Sequence, residues 1–198
     1  VEVESTNGNI GQQDDINATG DVDFVANAIT MSGNASTVAD NIFYQATNGD
    51  IRISSLTANA ETGVINLTTN GSLIDLGVND NGAAIANRLE IESVGGISGS
   101  ANGGGSDFIS SADTLSVKNE TGVINLVNVN KEVTLEALWN VGDIFFTNTT
   151  GNIILGNENS TVYLRDNERS GIVNSGYNDG FLSLNAAGGS ILPEVGSR

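Results

Sequence analysis

The sequence predicts an all-β fold, a parallel β-solenoid, from three observations. Short runs such as residues 88–92 and 114–118 alternate between apolar and polar side chains, which is typical of half-buried strands. Gly and Asn punctuate these runs, and the strand–turn–strand unit recurs about every 20 residues. Few windows keep helical periodicity. Because sandwich strands recur about every 8–12 residues, stacked coils explain the longer period better than a β-sandwich does.

Composition and charge exclude several classes of function. The 198 residues contain seven Lys and Arg against 24 Asp and Glu, a formal net charge of −17, with no His and no Cys. Nucleic-acid binding needs clustered basic residues, and zinc sites, Cys nucleophiles and His bases need residues that are absent. No apolar run approaches the length of a membrane span. We therefore expect no nucleic-acid partner and no membrane insertion.

Two kinds of repeat set the predicted coil. The heptapeptide Glu-Thr-Gly-Val-Ile-Asn-Leu occurs at 61–67 and again at 120–126, a separation close to three times the predicted period. A looser motif ends in Gly, one further residue and an aliphatic residue. Its copies lie at 6–10, 47–51, 69–73, 140–144, 149–153 and 187–191. The Gly in each copy suits a tight bend.

One inward aliphatic residue for each coil marks the repeat along the chain. These markers are Val22, Ile42, Ile65, Leu89, Leu115, Val133, Ile153 and Leu182. They predict about nine coils of roughly 20 residues in one segment spanning 1–198, which we expect to be part of a longer chain or filament. The two longest early steps, from Ile65 to Leu89 and from Leu89 to Leu115, coincide with a Gly/Ser-rich stretch, 98–107, which we interpret as a loop that bulges from one coil.

The alternating runs also predict a narrow aliphatic core. Its inward residues are Ile42, Tyr44, Ile51, Ile53, Ile65, Leu67, Leu73, Leu89, Ile91, Leu115, Val117, Ile124, Leu126, Leu135, Ile153, Leu155, Val162, Leu164, Leu182, Leu184 and Ile191. In stacked coils the same position recurs in every coil, so the 27 Asn residues have a physical use. Their side chains can stack in hydrogen-bonded ladders, although Asn is also simply suited to turns.

Three segments carry a family resemblance. Residues 181–191 (Phe-Leu-Ser-Leu-Asn-Ala-Ala-Gly-Gly-Ser-Ile), 88–97 and 152–155 resemble the repeats of filamentous-haemagglutinin-type large exoproteins. Those proteins are bacterial adhesins with a right-handed parallel β-helical shaft. The resemblance implies that hand, a secreted or cell-surface location, and no catalytic residues. The family's Asn-Pro-Asn-Leu secretion motif is missing, which implies a shaft or a distal binding region.

Three turns rich in Asp, Asn and Gly are candidate calcium sites, because Ca²⁺ binds carboxylate and carbonyl oxygens. The candidate ligands are Asp80, Asp107 and Asp179. None has the full EF-hand spacing, and ordinary turn chemistry explains the same residues. No other cofactor is predicted.

Two large aromatic residues, Trp139 and Tyr177, are candidate anchors for a surface ligand, because the repeat does not require them. Phe145 shares this property. The alternative interpretation is that these rings fill a wider coil or cap an end of the rod.

Three functions remain in competition. The first is a non-enzymatic shaft or binding segment of a secreted or surface adhesin or filament, with a host-cell or surface glycan or protein as partner. The alternative is a β-helix that binds or cleaves polysaccharide, for which carboxylate pairs such as Glu90 and Glu92 would be needed. The third is a subunit that associates end to end through uncapped coils. We predict no enzymatic activity.

Overall fold

The structure, a computed structural model, describes residues 1–77, 82–100, 107–129, 132–156, 172–174 and 181–193. These residues contain strands and no helix. The strands are β1 Glu2–Glu4, β2 Ile10–Gln12, β3 Ile16–Asn17, β4 Val22–Ala26, β5 Ile29–Met31, β6 Ser36–Val38, β7 Ile42–Ala46, β8 Ile51–Ile53, β9 Ser55–Thr57, β10 Val64–Thr69, β11 Leu73–Asp75, β12 Ala84–Ser93, β13 Ile97–Gly99, β14 Phe108–Asn119, β15 Ile124–Asn128, β16 Val133–Asn140, β17 Ile144–Asn148, β18 Ile153–Leu155, β19 Ile172–Asn174, β20 Leu182–Ala186 and β21 Ile191–Pro193.

Every described strand pairing is parallel, and each coil lies on the coil before it. The first face is formed by β1, β4, β7, β10, the second halves of β12 and β14, and β16. The second face is formed by β2, β5, β8, β11, β13 and the starts of β15 and β17. The third face is formed by β3, β6, β9 and the first halves of β12 and β14. The predicted β-solenoid is therefore confirmed.

The predicted coil number is wrong. The described residues form about six turns, about 22 residues apart, rather than nine of about 20. Part of the error lies at the last step, because Ile153 pairs with Ile191 and Leu182 pairs with Ile144. Ile153 and Ile191 thus lie on adjacent rungs, whereas the prediction had placed two coils between these positions.

The predicted register is correct through the middle of the rod. Ile42, Ile65, Leu89 and Leu115 are successive partners on the first face, and Val22 pairs with Ile42 below them. Leu115 then pairs with Leu135 and not with the predicted Val133. Val133 and Leu135 both point inward, because side-chain direction in a strand repeats every two residues. The alternating pattern therefore cannot show which of the two is the partner of Leu115.

The core follows the predicted inward positions closely. All of them from Ile42 to Leu135 are buried, and so is Ile153. At the last rung Leu182 and Leu184 are half-buried and Ile191 is 42% exposed, because no described rung covers them. Leu155 is also half-buried. Val162 and Leu164 lie outside the described residues.

Glycines stack at the turn between the first and second faces. A Cβ atom on Gly71 would lie 2.6 Å from the carbonyl carbon of Gly49, and one on Gly122 would lie 2.7 Å from the carbonyl oxygen of Gly95. Neighbouring turns thus approach each other too closely for a side chain. In the predicted 98–107 loop, residues 98 and 99 belong to β13, and residues 101–106 are not described.

Two buried ladders confirm the expected use of Asn. In the first, Ser93 Oγ donates to Asn119 Oδ1 (2.6 Å) and Asn119 Nδ2 donates to Asn140 Oδ1 (2.8 Å). In the second, Asn128 Nδ2 donates to Asn148 Oδ1 (3.1 Å). All four Asn residues have no exposed surface and end their strands. Their remaining amide hydrogens go to backbone carbonyls, for example from Asn140 Nδ2 to Asp143 O (2.8 Å).

Candidate functional site

A groove on the outer side of the first face contains one of the predicted anchors. Thr68, Glu92, Lys118 and Trp139 are successive register partners, so they form a column that crosses four rungs. Together with neighbours that include Asn70, Val94 and Glu120, they line a depression of about 210 Å³. We call this depression the Trp139 groove.

A β-bulge in β16 turns Trp139 outward. Leu115 pairs with Leu135, but Ser116 pairs with Ala137, so Glu136 is an extra residue. Without it, inward positions would continue from Leu135 through 137 to 139 and would place the indole in the core. With it, Leu138 is buried and Trp139 is half-buried on the outer side. The adjacent apolar pair at 137–138 is the sequence signal that could have revealed the bulge.

The bulged residue is held by an ion pair. Glu136 Oε2 lies 2.6 Å from Arg88 Nη2, and Glu90 Oε1 lies 2.6 Å from Arg88 Nε. Asn66 Nδ2 donates to the other Glu90 oxygen at 2.9 Å. The hydrogen bond with Glu136 raises the pKa of Arg88 above its usual value, so the guanidinium stays charged. This cluster fixes the outer surface next to the groove.

The polar side chains of the groove are only loosely tied to each other. Lys118 Nζ lies 3.0 Å from Glu92 Oε1, yet these side chains are 51% and 58% exposed. Solvent screens such a pair, so it is worth little to stability and can exchange partners readily. Asn70 donates its amide to Thr47 O at 2.6 Å, which leaves its side-chain oxygen to accept. Within the described residues, the Trp139 indole N–H makes no hydrogen bond.

Of the three candidate calcium ligands and Tyr177, the structure describes Asp107 alone. Asp80, Asp179 and Tyr177 lie outside the described residues. Asp107 is half-buried and directly precedes β14. No group of three or more carboxylates within the described part of the chain is placed to hold a metal ion.

Phe145 lies away from the Trp139 groove, on the second face. It is 40% exposed, and its ring lies against that of Phe181, with centroids 5.8 Å apart.

Sequence reasoning missed one buried titratable side chain, Asp75. Asp75 is 1% exposed and accepts hydrogen bonds from the Gly77 N–H (2.7 Å) and the Ile109 N–H (3.1 Å). Burial raises the pKa of its carboxyl above the usual 3.8. The sequence signal was its inward position, two residues after the buried Leu73.

Tyr44, which was predicted as an inward residue, is a second buried titratable side chain. Its hydroxyl donates to Gln12 Oε1 (3.0 Å) and bonds the Thr37 hydroxyl (2.8 Å). Burial raises the pKa of Tyr44 to about 12. Its ring stacks on Phe24 at 4.8 Å. These contacts have a structural role in the first coils.

The described rod has uncovered apolar side chains at both ends. Val3 is the inward partner of the buried Phe24, yet it is 39% exposed because no described strand lies beneath β1. Ile10 and Ile16, the other inward residues of that rung, are half-buried. At the opposite end, Ile191 continues the column of Ile153 and is exposed.

Comparison of the chain with protein-family models, with curated proteins and with solved structures found no match. The resemblance to filamentous-haemagglutinin-type repeats therefore rests on the quoted residues and stays a prediction. Among the described residues there is no helix of the length and apolarity needed to cross a membrane.

Proposed function

We propose that this chain is a non-enzymatic structural and interaction protein, a segment of an extended β-rod in a secreted or surface-attached adhesin or filament. The observation that carries the proposal is the continuous core of stacked parallel coils, in which inward columns run from one end of the described rod to the other. Each coil contacts only its neighbours, so further coils add length without changing the architecture.

The end rungs support extension. Their inward residues Val3 and Ile191 lie on the axis of the core but remain exposed. A further coil, from the same chain or from a second copy, would bury these side chains and pair the open backbone edge. A contact between opposite ends is heterologous and does not close, so it produces a filament rather than a dimer.

Charge disfavours contact between two amino-terminal ends. Residues 1–51 contain no Lys or Arg and eight acidic residues, namely Glu2, Glu4, Asp14, Asp15, Asp21, Asp23, Asp40 and Asp50. Four of the seven basic residues lie after residue 130. Two amino-terminal ends therefore repel each other more strongly than an amino-terminal end and a carboxyl-terminal end do. Salt, or millimolar Ca²⁺, is expected to promote assembly by screening the charge of −17.

Electron microscopy and light scattering at low and moderate salt, with and without Ca²⁺, test this proposal. We expect rods longer than one segment, with lengths that increase with salt. Val3→Glu places a charge in the end contact and should abolish the longer rods. Val38→Glu, at an exposed position on the side wall, should leave them unchanged. If the segment stays monomeric throughout, and its native gene encodes no further coils, the proposal is wrong.

The alternative of a polysaccharide-cleaving β-helix has less support. Glu90 is engaged by Arg88 and Asn66, and Glu92 faces Lys118, so both carboxylates of this pair already have partners. Turnover of a polysaccharide that is lost in Glu90→Gln or Glu92→Gln would establish the enzyme instead. Polysaccharide binding without cleavage is compatible with the Trp139 groove.

A further inference from the structure

We propose that the Trp139 groove binds a neutral polysaccharide chain that lies along the axis of the rod. This inference rests on the proposed function as an interaction protein and names the chemical class of the lateral partner. The groove contains an outward indole and a column of polar side chains, and both follow from the register of four successive rungs.

The indole supplies the apolar surface. Pyranose rings have one face made mainly of C–H groups, and such a face packs on a flat aromatic ring. Trp139 is aimed away from the core by the bulge at Glu136, and the ion pair with Arg88 holds that bulge. Its indole N–H makes no hydrogen bond to any described residue, and in the proposed complex it would donate to a ligand hydroxyl or ring oxygen.

The column below the indole supplies hydrogen bonds at a regular interval. Lys118, Glu92 and Thr68 follow Trp139 rung by rung, and rungs are separated by about 4.8 Å. Four rungs thus span roughly 14 Å along the axis. That length suits several linked sugar units better than a single one. Ammonium, carboxylate and hydroxyl groups in one line can each meet the hydroxyl groups of an extended chain.

The side wall disfavours a peptide strand as occupant. On the first face, the backbone groups of β12 and β14 are paired with the rungs above and below, so the wall presents side chains and no free edge. An extended peptide gains affinity by adding to a free edge. A polysaccharide has its hydrogen-bonding groups around each ring and needs no strand partner.

Charge disfavours an anionic chain. The groove contains Lys118 against Glu92 and Glu120, and the whole molecule has a formal charge of −17. An anionic polysaccharide would be repelled by this field. Lys118 is already compensated by Glu92, so the groove has no excess positive charge to offer. A neutral chain can bind without displacing that ion pair.

Because Trp139 is the one Trp in the chain, its fluorescence reports directly on this groove. The complete chain would be titrated with neutral oligosaccharides of β-linked glucose and of β-linked galactose, with an anionic oligogalacturonate and with a cationic chitosan oligomer. We expect at least one neutral oligosaccharide to shift the emission, and longer oligomers to bind more tightly than a disaccharide. The oligogalacturonate should leave the emission unchanged.

Variants measured by calorimetry assign the binding to the groove. Trp139→Ala should weaken binding by about three- to tenfold. Lys118→Ala should have a smaller effect in the same direction. Phe43→Ala removes an exposed aromatic residue on the same face and should bind like wild type. Far-ultraviolet circular dichroism checks that each variant is folded.

Three outcomes would overturn the inference. They are no response to either neutral oligosaccharide, equal affinity of wild type and Trp139→Ala, and tighter binding of a charged oligomer than of the neutral ones. Because assembly is measured separately by microscopy, failure of this site leaves the rod proposal standing. Likewise, if no filaments form, the oligosaccharide titration still tests the groove independently.

Discussion

Identical sequences at 61–67 and 120–126 lie on different faces of the coil. In the first copy, β10 pairs with β7 and β12 on the first face. In the second copy, β15 starts on the second face, where Ile124 pairs with Ile97. Both copies bury their Ile and Leu, so the strand itself is the same in both places. Local sequence thus determines which side chains point inward but not where a strand lies in the coil.

The turns that precede the two strands also differ. Gly63 donates its N–H to Asn59 O (2.7 Å) within a local turn, and its φ is not positive. Gly122 has a φ of +84° and belongs to the glycine stack above Gly95. The same Thr-Gly-Val therefore adopts two backbone conformations. The rung beneath each copy determines which conformation is formed.

The coil lengths explain why the two copies are not separated by three whole turns. On the first face, Ile65 pairs with Leu89 and Leu89 pairs with Leu115, and both of these steps are longer than the predicted period. Two turns thus end at residue 115, and the second copy falls a little later in the chain, on the next face. A repeat is informative about register only when the turns between its copies have constant length.

The largest expected effect tests what the two copies share. Ile65→Asp and Ile124→Asp each place an unpaired charge in the core, at a cost of several kcal/mol. Since a domain is stable by only about 5–15 kcal/mol, we expect neither variant to fold. Leu89→Asp should behave in the same way. Circular dichroism and solubility measurements show whether each variant folds.

Val123→Asp is the matched control, because Val123 is 37% exposed beside Ile124. It should fold like wild type. A folded, soluble Ile124→Asp protein would show that the inward assignment of the second copy is wrong.

The polar residues next to the copies should differ in their effect on stability. Asn119, just before the second copy, is fully buried and bonds Ser93, the Gly96 N–H and Asn140. Removing it leaves these groups unsatisfied, so Asn119→Ala should lower the free energy of unfolding by about 2–4 kcal/mol. Asn59, near the first copy, accepts a hydrogen bond from the exposed Glu61 N–H. Asn59→Ala should therefore lower the free energy of unfolding by only about 1 kcal/mol. Urea denaturation measures both, and equal costs would contradict the buried ladder.

Glycine substitutions should separate the two turns. Gly122→Ala places a side chain at a residue with a positive φ and in contact with Gly95. It should lower the free energy of unfolding by about 2 kcal/mol. Gly122→Asn should cost less, because Asn tolerates the left-handed region. At Gly63 the obstacle is the backbone of Asn59 and Asp40, so Asn should be no better than Ala there. Thermal unfolding gives the comparison.

Gly20→Ala serves as the control for these turns, since its Cβ would have no atom within 4 Å and its φ is ordinary. It should be neutral or slightly stabilising. An equal benefit of Asn over Ala at both positions 63 and 122 would mean that the turns do not differ in backbone conformation.

The smallest expected effect is a pH dependence at Asp75, which ends the strand after the first copy. Burial raises the pKa of this carboxyl in the folded state, so the folded protein binds the proton more tightly than the unfolded chain. Its contribution to stability is therefore present at low pH and is lost as pH rises above about 3.8. The free energy of unfolding of wild type minus that of Asp75→Asn should therefore decrease as the pH is raised from 3 to 7. A constant difference would contradict the raised pKa.

The candidate site was only partly predictable. Trp139 was identified as an anchor because the repeat does not require it, but its groove could not be foreseen. Its outward direction depends on the bulge at Glu136, and its neighbours Lys118 and Glu92 come one and two coils earlier in the chain. Asp80, Asp179 and Tyr177 stay predictions, because they lie outside the described residues.

The sequence by itself determined the all-β class, the inward residues and the tight glycine turns of this protein. These features depend on residues within a few positions of each other, through the two-residue alternation of strands and the backbone freedom of Gly. Only the tertiary structure decided the number of turns, the face on which each copy of the heptapeptide lies and the direction of Trp139. Those features depend on pairing between residues about 22 positions apart. One extra residue in a turn or a bulge changes that pairing without altering the local pattern.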